Sequence, residues 1–525
     1  MRPLVPVLTS EESSASDASA IARGIPSRAL MQRAGAAAAG EIALRFRDRL
    51  DSGVLVLAGP GNNGGDAWVV AAALITAGVR VRVIEPTPSK TADAQAERAT
   101  AVELLERARS PVEGISASVD RGEGIVVDGL LGTGSSGAPR GDIATAIEAA
   151  NGMRARGAVT IALDVPSGVN ASTGETDGVA VAADLTVTFA SLKRGHVVNR
   201  GICGIVVVVD IGIPVDARDH SIPQLVDEHW VGLQVPAIPA TAHKGTRKKV
   251  AIIGGAAGMA GAPILAARAA QRSGAGMVKL VVAPDSLLIV QESEPYALAA
   301  TWGATADVID EEIVNWADVV VIGPGLGRGT SSRDVLNLVL ARWRGRTLLD
   351  ADALTLFEGR AADLAAALGG RAAILTPHPV EFARLAGSSV EHVLATRFDA
   401  ALELARATSA VVVLKGVPTI ITSPDGRRLV SAAGTPALAT GGSGDVLSGI
   451  AGTLLGQMDD AFAAAGASAW IHGRAAERVP SSGLRATRGM TLEDVVAELR
   501  DAWLCDTRPA RYPVLAELPA VGPVR

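Results

Sequence analysis

One unit of pattern recurs along this chain: a short uncharged run of Val, Ile, Leu and Ala, then a turn carrying glycine or aspartate, then an Ala-rich stretch with helical spacing. Val54–Ala58 runs into GPGNNGGD (Gly59–Asp66), Ile125–Val127 into DGLLGTGSSGAPRG (Asp128–Gly141), and Val159–Leu163 into DVPSGVN (Asp164–Asn170). Further on, Val250–Ile253 meets a glycine loop (Gly254–Gly261), Val319–Ile322 meets GPGLG (Gly323–Gly327), and Thr347–Leu349 meets DADAL (Asp350–Leu354). Ala372–Leu375 leads to TPHPVEF (Thr376–Phe382) and Ala410–Leu414 to KGVPT (Lys415–Thr419). Strands without a polar face must be covered on both sides, and intervening helices set such strands parallel. The expected class is α/β, with ligand sites in the loops at the carboxyl ends of the strands.

At 525 residues the chain exceeds a single core, and two domains are expected. A hydrophobic fraction of 48% with only 3% aromatic, and 58 glycines, describes Ala, Val, Leu and Ile cores with many tight turns. The net charge of −6 argues against a nucleic-acid partner. No segment has the order of a signal peptide or the length and apolarity of a membrane span. Cys203 and Cys505 lie far apart without metal-ligand spacing, so a reduced, cytoplasmic setting with no membrane partner is expected. Periodicity fades where Pro214, Pro223, Pro236 and Pro239 gather. The expected organisation is a domain over 1–215, a linker over 216–240, a domain over 241–506 and a loose Pro-rich tail over 507–525.

The stretch ATGGSGD (Ala439–Asp445) places an acid directly after small residues whose backbone can wrap an anion, ahead of an expected helix over Val446–Leu455. Free N–H groups and the helix dipole make a phosphate seat, and Asp445 could take a proton from a hydroxyl beside that phosphate. A glycine turn capped by Asp445 is the plainer alternative. In the first half, Gly59 to Gly64 satisfies G-x-G-x-x-G with Glu85 downstream. That fingerprint needs its third glycine inside a helix already begun, whereas Asn62, Asn63 and Asp66 are expected to load a loop with oxygens suited to a cation, a ribose or an amide. Asx turns and an N-cap would account for them equally. Asp66, Asp128 and Asp164 should gather on one sheet edge, which is costly unless a cation or an acid/base task occupies them. His378 between two prolines is a rigid exposed position. Lys415 could reach a nucleotide phosphate or solvate a strand end, and Asp350 with Asp352 could position Mg²⁺ through water or cap a helix. HKGTRKK (His243–Lys249) suits an anionic ligand or a solvated turn.

Taken in order, GPGNNGGD, VDGLLGTG, DVPSG, TVTFASLKRGH and DIGIP resemble the YjeF N-terminal family, the NAD(P)H-hydrate epimerases, over residues 1–215. The resemblance implies a Rossmann-like αβα sandwich, a potassium site at Asn63, Asp128 and Ser167, and Asp164 as acid/base. It also implies a hydrated nicotinamide nucleotide against Asn62, Asn63, Gly64, Gly65, Asp66, Gly132, Thr133, Gly134, Ser135, Ser136, Gly137, Ala138 and Asp164. Gln32, where an acid is common, and Ala67, where a glycine is usual, depart from the pattern. HKG, the Gly254–Gly261 loop, GPGLG, DADAL, TPHPxE, LKGxxT and ATGGSGD resemble the ribokinase-like NAD(P)H-hydrate dehydratases over about 240–505. This implies a ribokinase-like αβα domain in which Ala262, Gly325, His378 and Asp445 contact the hydrated nucleotide. Lys415, Gly416, Val417, Pro418, Thr419 and Gly444 would bind ADP or ATP, supplied with Mg²⁺. Val380 stands where a glycine is usual.

The implied function is repair of damaged NAD(P)H. The first domain would interconvert (R)- and (S)-NAD(P)HX, and the second would dehydrate (S)-NAD(P)HX at the expense of a nucleotide, with ADP expected. The implied partners are NADHX or NADPHX and an adenine nucleotide, and a homo-oligomer is expected. The alternatives are a ribokinase-like vitamin or sugar kinase, a non-catalytic N-terminal binding module, and an NAD-dependent dehydrogenase suggested by the glycine loop.

Overall fold

The computed structural model describes residues 4–115, 119–214, 221–303, 305–481, 487–508 and 510–521. The chain divides into two compact units, Met1–Arg218 with Pro509–Gly522, and Asp219–Arg508. The first is built on an eight-stranded sheet ordered Val514–Leu518, Ile205–Val209, Leu185–Phe189, Val159–Leu163, Ile125–Gly129, Val54–Ala58, Val81–Ile84, Val112–Glu113. Its neighbours are parallel except where Val514–Leu518 runs antiparallel to Ile205–Val209. Helices Ser27–Arg45 and Asn62–Thr76 cover one face, where Ala34, Ala38, Ile42, Ala67, Trp68 and Ala71 pack on Val54, Val56 and Val127.

The second unit holds ten strands, ordered Gln224–Leu225, Arg428–Ser431, Thr419–Thr422, Val411–Leu414, Ala373–Leu375, Arg346–Leu349, Val319–Ile322, Lys249–Ile253, Met277–Val282, Leu298–Thr301. Antiparallel pairing is confined to Val411–Leu414 with Thr419–Thr422 and the latter with Arg428–Ser431. No helix among the described residues is long and apolar enough to cross a membrane.

The two sheets reverse their strand order in the same way. In the first the reversal falls between Val54–Ala58 and Ile125–Gly129, and in the second between Lys249–Ile253 and Val319–Ile322. A crevice opens outside the strand ends at such a reversal. In both, the loops leaving the flanking strands touch through a bare glycine. A Cβ on Gly59 would lie 1.8 Å from the Leu130 carbonyl oxygen, and one on Gly254 would lie 1.9 Å from that of Pro324. Backbone cannot yield there as a flexible side chain would. Gly59→Ala and Gly254→Ala are each expected to cost about 3 kcal/mol, toward the upper end for overpacking. In calorimetry each should lower the melting of its own unit, and two unaltered transitions would refute the steric reading.

The structure departs from the expectations above in three places. The helix after Val54–Ala58 begins at Asn62, so Asn62, Asn63 and Asp66 occupy its first turns rather than a loop. Gly64 therefore does sit in a helix already begun, where a Cβ would meet the Gly59 oxygen at 1.9 Å. The dinucleotide match fails on its other requirement, because Glu85 is taken by Arg98 at 2.8 Å. Within the expected linker over 216–240, Gln224–Leu225 joins the second sheet and Glu228–Gln234 is a helix. Asp227 caps that helix by accepting from the Trp230 N–H at 2.8 Å, and Trp230 and Val231 are buried. Seven residues are too few to show a period. Residues 215–220 of that linker lie outside the described residues. Third, within the expected loose tail over 507–525, of which residues 509 and 522–525 lie outside the described residues, Val514–Leu518 is a strand of the first sheet. Its buried alternation of Val514, Ala516 and Leu518 is short and flanked by prolines, which disguises it.

Candidate active sites

In the first unit a cleft of about 710 Å³ opens at the strand reversal. Asn62, Asn63, Asp66, Gly132, Thr133, Gly134, Ser135 and Asp164 line it. Gly64 and Gly65 instead pack inward, the latter against Met31, while Ser136, Gly137 and Ala138 form the exposed end of their loop. Asp164 ends the Val159–Leu163 strand with φ of +60°, a left-handed conformation that costs an aspartate of order 1 kcal/mol and is held by its surroundings. Its Oδ1 accepts from Lys193 Nζ at 2.5 Å and from Thr188 Oγ1 at 3.0 Å. Nothing among the described residues bonds Oδ2. The Asp164 carbonyl accepts from His196 Nε2 at 2.8 Å, since His196 Nδ1 accepts from the Lys193 N–H and so carries no proton. Burial pushes His196 down to about 4, which keeps it neutral.

Lys193 is 2% exposed and also donates to Thr188 Oγ1 at 2.9 Å and the Phe189 carbonyl at 3.3 Å. It is a site residue that sequence reasoning misses, since SLKRGH marks it only as part of a family motif. A lysine between a buried strand and a glycine is the available signal. Burial, then Asp164 and Asp17, raise Asp66 well above the ordinary carboxylate range, against the opposing pull of Lys193. The cleft thus sets a carboxyl whose ionisation burial opposes near a second carboxyl paired with Lys193, two groups with different environments.

Asp128 ends its strand on the same sheet edge, opposite Ala162, but does not line the cleft. It is wholly buried, accepting from Ser167 Oγ at 2.6 Å and from the Ser167 N–H at 2.8 Å, and burial pushes it up to about 6. Nearby, Asn63 Nδ2 donates to the Leu131 carbonyl at 2.8 Å, while Asn63 Oδ1 is buried with no hydrogen-bond partner. A buried acceptor left unbonded costs about 1–3 kcal/mol unless a cation or donor meets it. An all-oxygen set with such an atom fits a hard monovalent cation. Of the two departures here, Gln32 donates to Glu97 at 2.8 Å, and Ala67 packs under Gly129, so both serve packing.

In the second unit, glycines bring the phosphate seat into place. Helix Ser443–Gln457 lies so close to Gly261–Arg272 and Val319–Ile322 that a Cβ on Gly449 would meet the Ala266 oxygen at 2.1 Å, and one on Gly452 would meet Val321 at 2.3 Å. Its N-cap is Gly442 at φ of +97°, where a side chain would be strained and would strike Leu265. Gly441, Gly442 and Gly444 leave backbone N–H groups without a protein acceptor among the described residues. Gly325 and Ala262 meet across the reversal, since a Cβ on Gly325 would lie 3.1 Å from that of Ala262.

Asp445 stands in the first turn of this helix. Burial, then Asp350, push it up to about 7 against the pull of Lys415. Lys415 Nζ pairs with Asp350 at 2.8 Å and lies 3.9 Å from Glu381. Burial opposes its charge, but Asp350 and Glu381 outweigh burial and raise it, which fixes an ammonium beside Gly444 at 3.1 Å from where a Cβ would stand. Asp350 also accepts from Ser448 at 2.7 Å, so it orients Lys415. Asp352 accepts from the Gly327 N–H at 2.9 Å and pairs with Arg328, which is a structural task.

His378 caps helix Pro379–Ala386, with Nδ1 accepting from the Val380 N–H at 3.1 Å, and its ring remains half exposed. Val380 is exposed in that first turn. Gly416, Val417, Pro418 and Thr419 form the turn after Lys415, tied by Thr419 Oγ1 to the Gly416 carbonyl at 3.1 Å. In HKGTRKK, Arg247 donates to the Gly274 carbonyl at 3.0 Å and Lys249 lies over Trp316, so these two cations are engaged in packing.

Residues 27–195 match the family model of the YjeF-related protein N-terminus, and residues 250–499 match that of NAD(P)H-hydrate dehydratase. The bifunctional NAD(P)H-hydrate repair enzyme Nnr of Coxiella burnetii is 37% identical over 493 residues, 92% of this chain and 96% of its own. Its counterpart in Salinibacter ruber is 37% identical over 90% of this chain and 92% of its own. A crystal structure of the ADP/ATP-dependent NAD(P)H-hydrate dehydratase from Bacillus subtilis, co-crystallised with ATP/Mg²⁺, is similar over 53% of this chain and 96% of its own, at 28% identity and a TM-score of 0.47. The chain belongs to the family of bifunctional NAD(P)H-hydrate repair enzymes.

Proposed function

We propose that this chain restores NAD(P)H from its hydrates: the first unit interconverts (R)- and (S)-NAD(P)HX, and the second dehydrates (S)-NAD(P)HX with an adenine nucleotide, ADP being the expected donor. The observation that carries the reading is Asp445, a carboxyl poised at about 7 beside a seat of free backbone N–H groups. Asp445 takes the proton from the ring hydroxyl as the hydroxyl oxygen attacks the terminal phosphoryl group, and the bond from that group to the nucleotide breaks, so that the shortened nucleotide (AMP from ADP) departs with the electron pair. The Gly441, Gly442 and Gly444 N–H groups and the Lys415 ammonium stabilise the charge that moves onto the phosphoryl oxygens. Mg²⁺ carried with the nucleotide would neutralise part of that charge. Departure of phosphate with the electron pair of the C–O bond, and loss of a ring proton, then regenerate the dihydropyridine. A kinase that stopped at the phosphate ester is not favoured by the family.

Epimerisation requires the hydroxyl to leave and return on either face. Asp66, raised well above the ordinary carboxylate range by burial, gives its proton to the departing hydroxyl; Asp164, paired with Lys193, receives a proton from the returning water; and proton exchange with solvent then restores Asp66 and Asp164. Asn63, Asp128 and Ser167 would hold K⁺, which would supply a fixed positive charge beneath the cleft.

The test follows the near-ultraviolet absorbance of the reduced ring as purified protein meets an epimer mixture of NADHX with Mg²⁺ and either ADP or ATP. Full recovery is expected, with a slower second phase set by epimerisation. Replacing K⁺ by a large organic cation should slow that phase alone. A halt at the amount of one epimer would sink the epimerase assignment, and no recovery with either nucleotide would sink the dehydratase.

A further inference from the structure

The strand Ile205–Val209 consists entirely of β-branched, uncharged residues, and without Val514–Leu518 it would be the edge of its sheet. Such an edge invites pairing with other chains. The segment that covers it is anchored at several points. Val209 pairs with Val514, and Val208, Val207 and Val206 pair with Ala516, Glu517 and Leu518. Val514 enters the core shared with Ile42 and Ala38. Arg511 bonds Glu41, a carboxylate 1% exposed whose other partner is Arg45 at 3.0 Å, and Arg45 in turn pairs with Glu517 at 2.6 Å. The Asp210 N–H donates to the Pro513 carbonyl at 2.7 Å.

These anchors are the outer ends of the cleft's own walls. Ile211, next to Asp210, lines the cleft, as does Phe189, which pairs with Val209. Leu30, Met31 and Ala34 line it from the helix that carries Glu41 and Arg45. We infer that residues 510–521 act as a strand donor to the first unit, positioning the cleft walls, so that their loss disables epimerisation and spares dehydration. The inference rests on the epimerase reading above.

The experiment uses the full chain carrying Ala516→Pro, which removes a ladder N–H, with Ala516→Val as the conservative control. A chain ending at Arg508, with and without an added synthetic peptide of residues 510–521, is the second variant. Hydrogen exchange of the Val206–Val209 amides, turnover of the pure (S) epimer and recovery from the epimer mixture are read together. Ala516→Pro is expected to speed exchange at Val206–Val209 by at least about tenfold and to slow the epimerisation phase by about 10- to 100-fold. Turnover of the (S) epimer should stay within about twofold, as expected of a change in the other unit. Ala516→Val should match the parent, and the peptide should restore the shortened chain. Unchanged exchange, parental epimerisation in both variants, or an equal fall in the two activities would each overturn the inference. If the parent chain itself fails to epimerise while its Val206–Val209 amides are protected, the functional reading fails instead.

Discussion

Asp445→Asn is expected to lower dehydratase turnover by about 10³-fold, within the span seen for removal of a general base, and to raise the melting temperature of the second unit. The two effects share one cause. Burial and Asp350 push Asp445 up to about 7, so the folded protein holds a proton that the unfolded chain has already released over the range between the ordinary aspartate value and 7. Where the folded state binds more protons, stability falls as pH rises, and the full penalty applies above 7. A neutral amide avoids it. A displacement of that size would correspond to about 4 kcal/mol, and partial access to water reduces the expected gain to roughly 1–2 kcal/mol. Turnover of the parent should rise with pH through about 7, because the base must be ionised. Equal stability of parent and variant at pH 8, with a gap opening at pH 5, would contradict the sign argued here.

Lys193→Met should slow epimerisation by about 10²-fold while leaving turnover of the (S) epimer unchanged. The ammonium is the only cation bonded to Asp164 among the described residues, and its loss frees a carboxylate that the +60° backbone otherwise aims with little slack. Stability separates the two partners. Asp164→Ala leaves an ammonium at 2% exposure without a counter-charge, which costs about 3–5 kcal/mol. Lys193→Met leaves Asp164 14% exposed on its side chain and better able to find water. Thermal unfolding should therefore rank parent above Lys193→Met above Asp164→Ala, and the reverse order of the two variants would refute the ion-pair account.

What the sequence disclosed and what it hid divide along a physical line. Buried parallel strands are nearly pure runs of branched residues, so Val54–Ala58, Val159–Leu163 and Val319–Ile322 are legible from residue type alone, and so are the loops that follow them. Asp445 and Asp164 are visible because each ends such a run or opens a helix. Lys193 is less so, since its partner is 29 residues earlier and a sequence shows no distance in space. The double duty of Asp350, holding Lys415 and accepting from Ser448, spans 98 residues and is hidden for the same reason. The Asn62–Asp66 oxygens read as a loop because glycines there suggest one, whereas close packing against Gly59 requires glycine within a helix.

The antiparallel strand at the edge of the first sheet also sets an order of events during synthesis. Ile205–Val209 leaves the ribosome roughly 300 residues before Val514–Leu518 exists. At ordinary elongation rates of about 5–20 residues per second, that interval is on the order of 15–60 seconds. Throughout it the nascent chain displays an edge of bare valines, and every chain that terminates early displays it for good. The first sheet is thus begun early and completed late, its edge closed only by a strand translated roughly 300 residues after its neighbour.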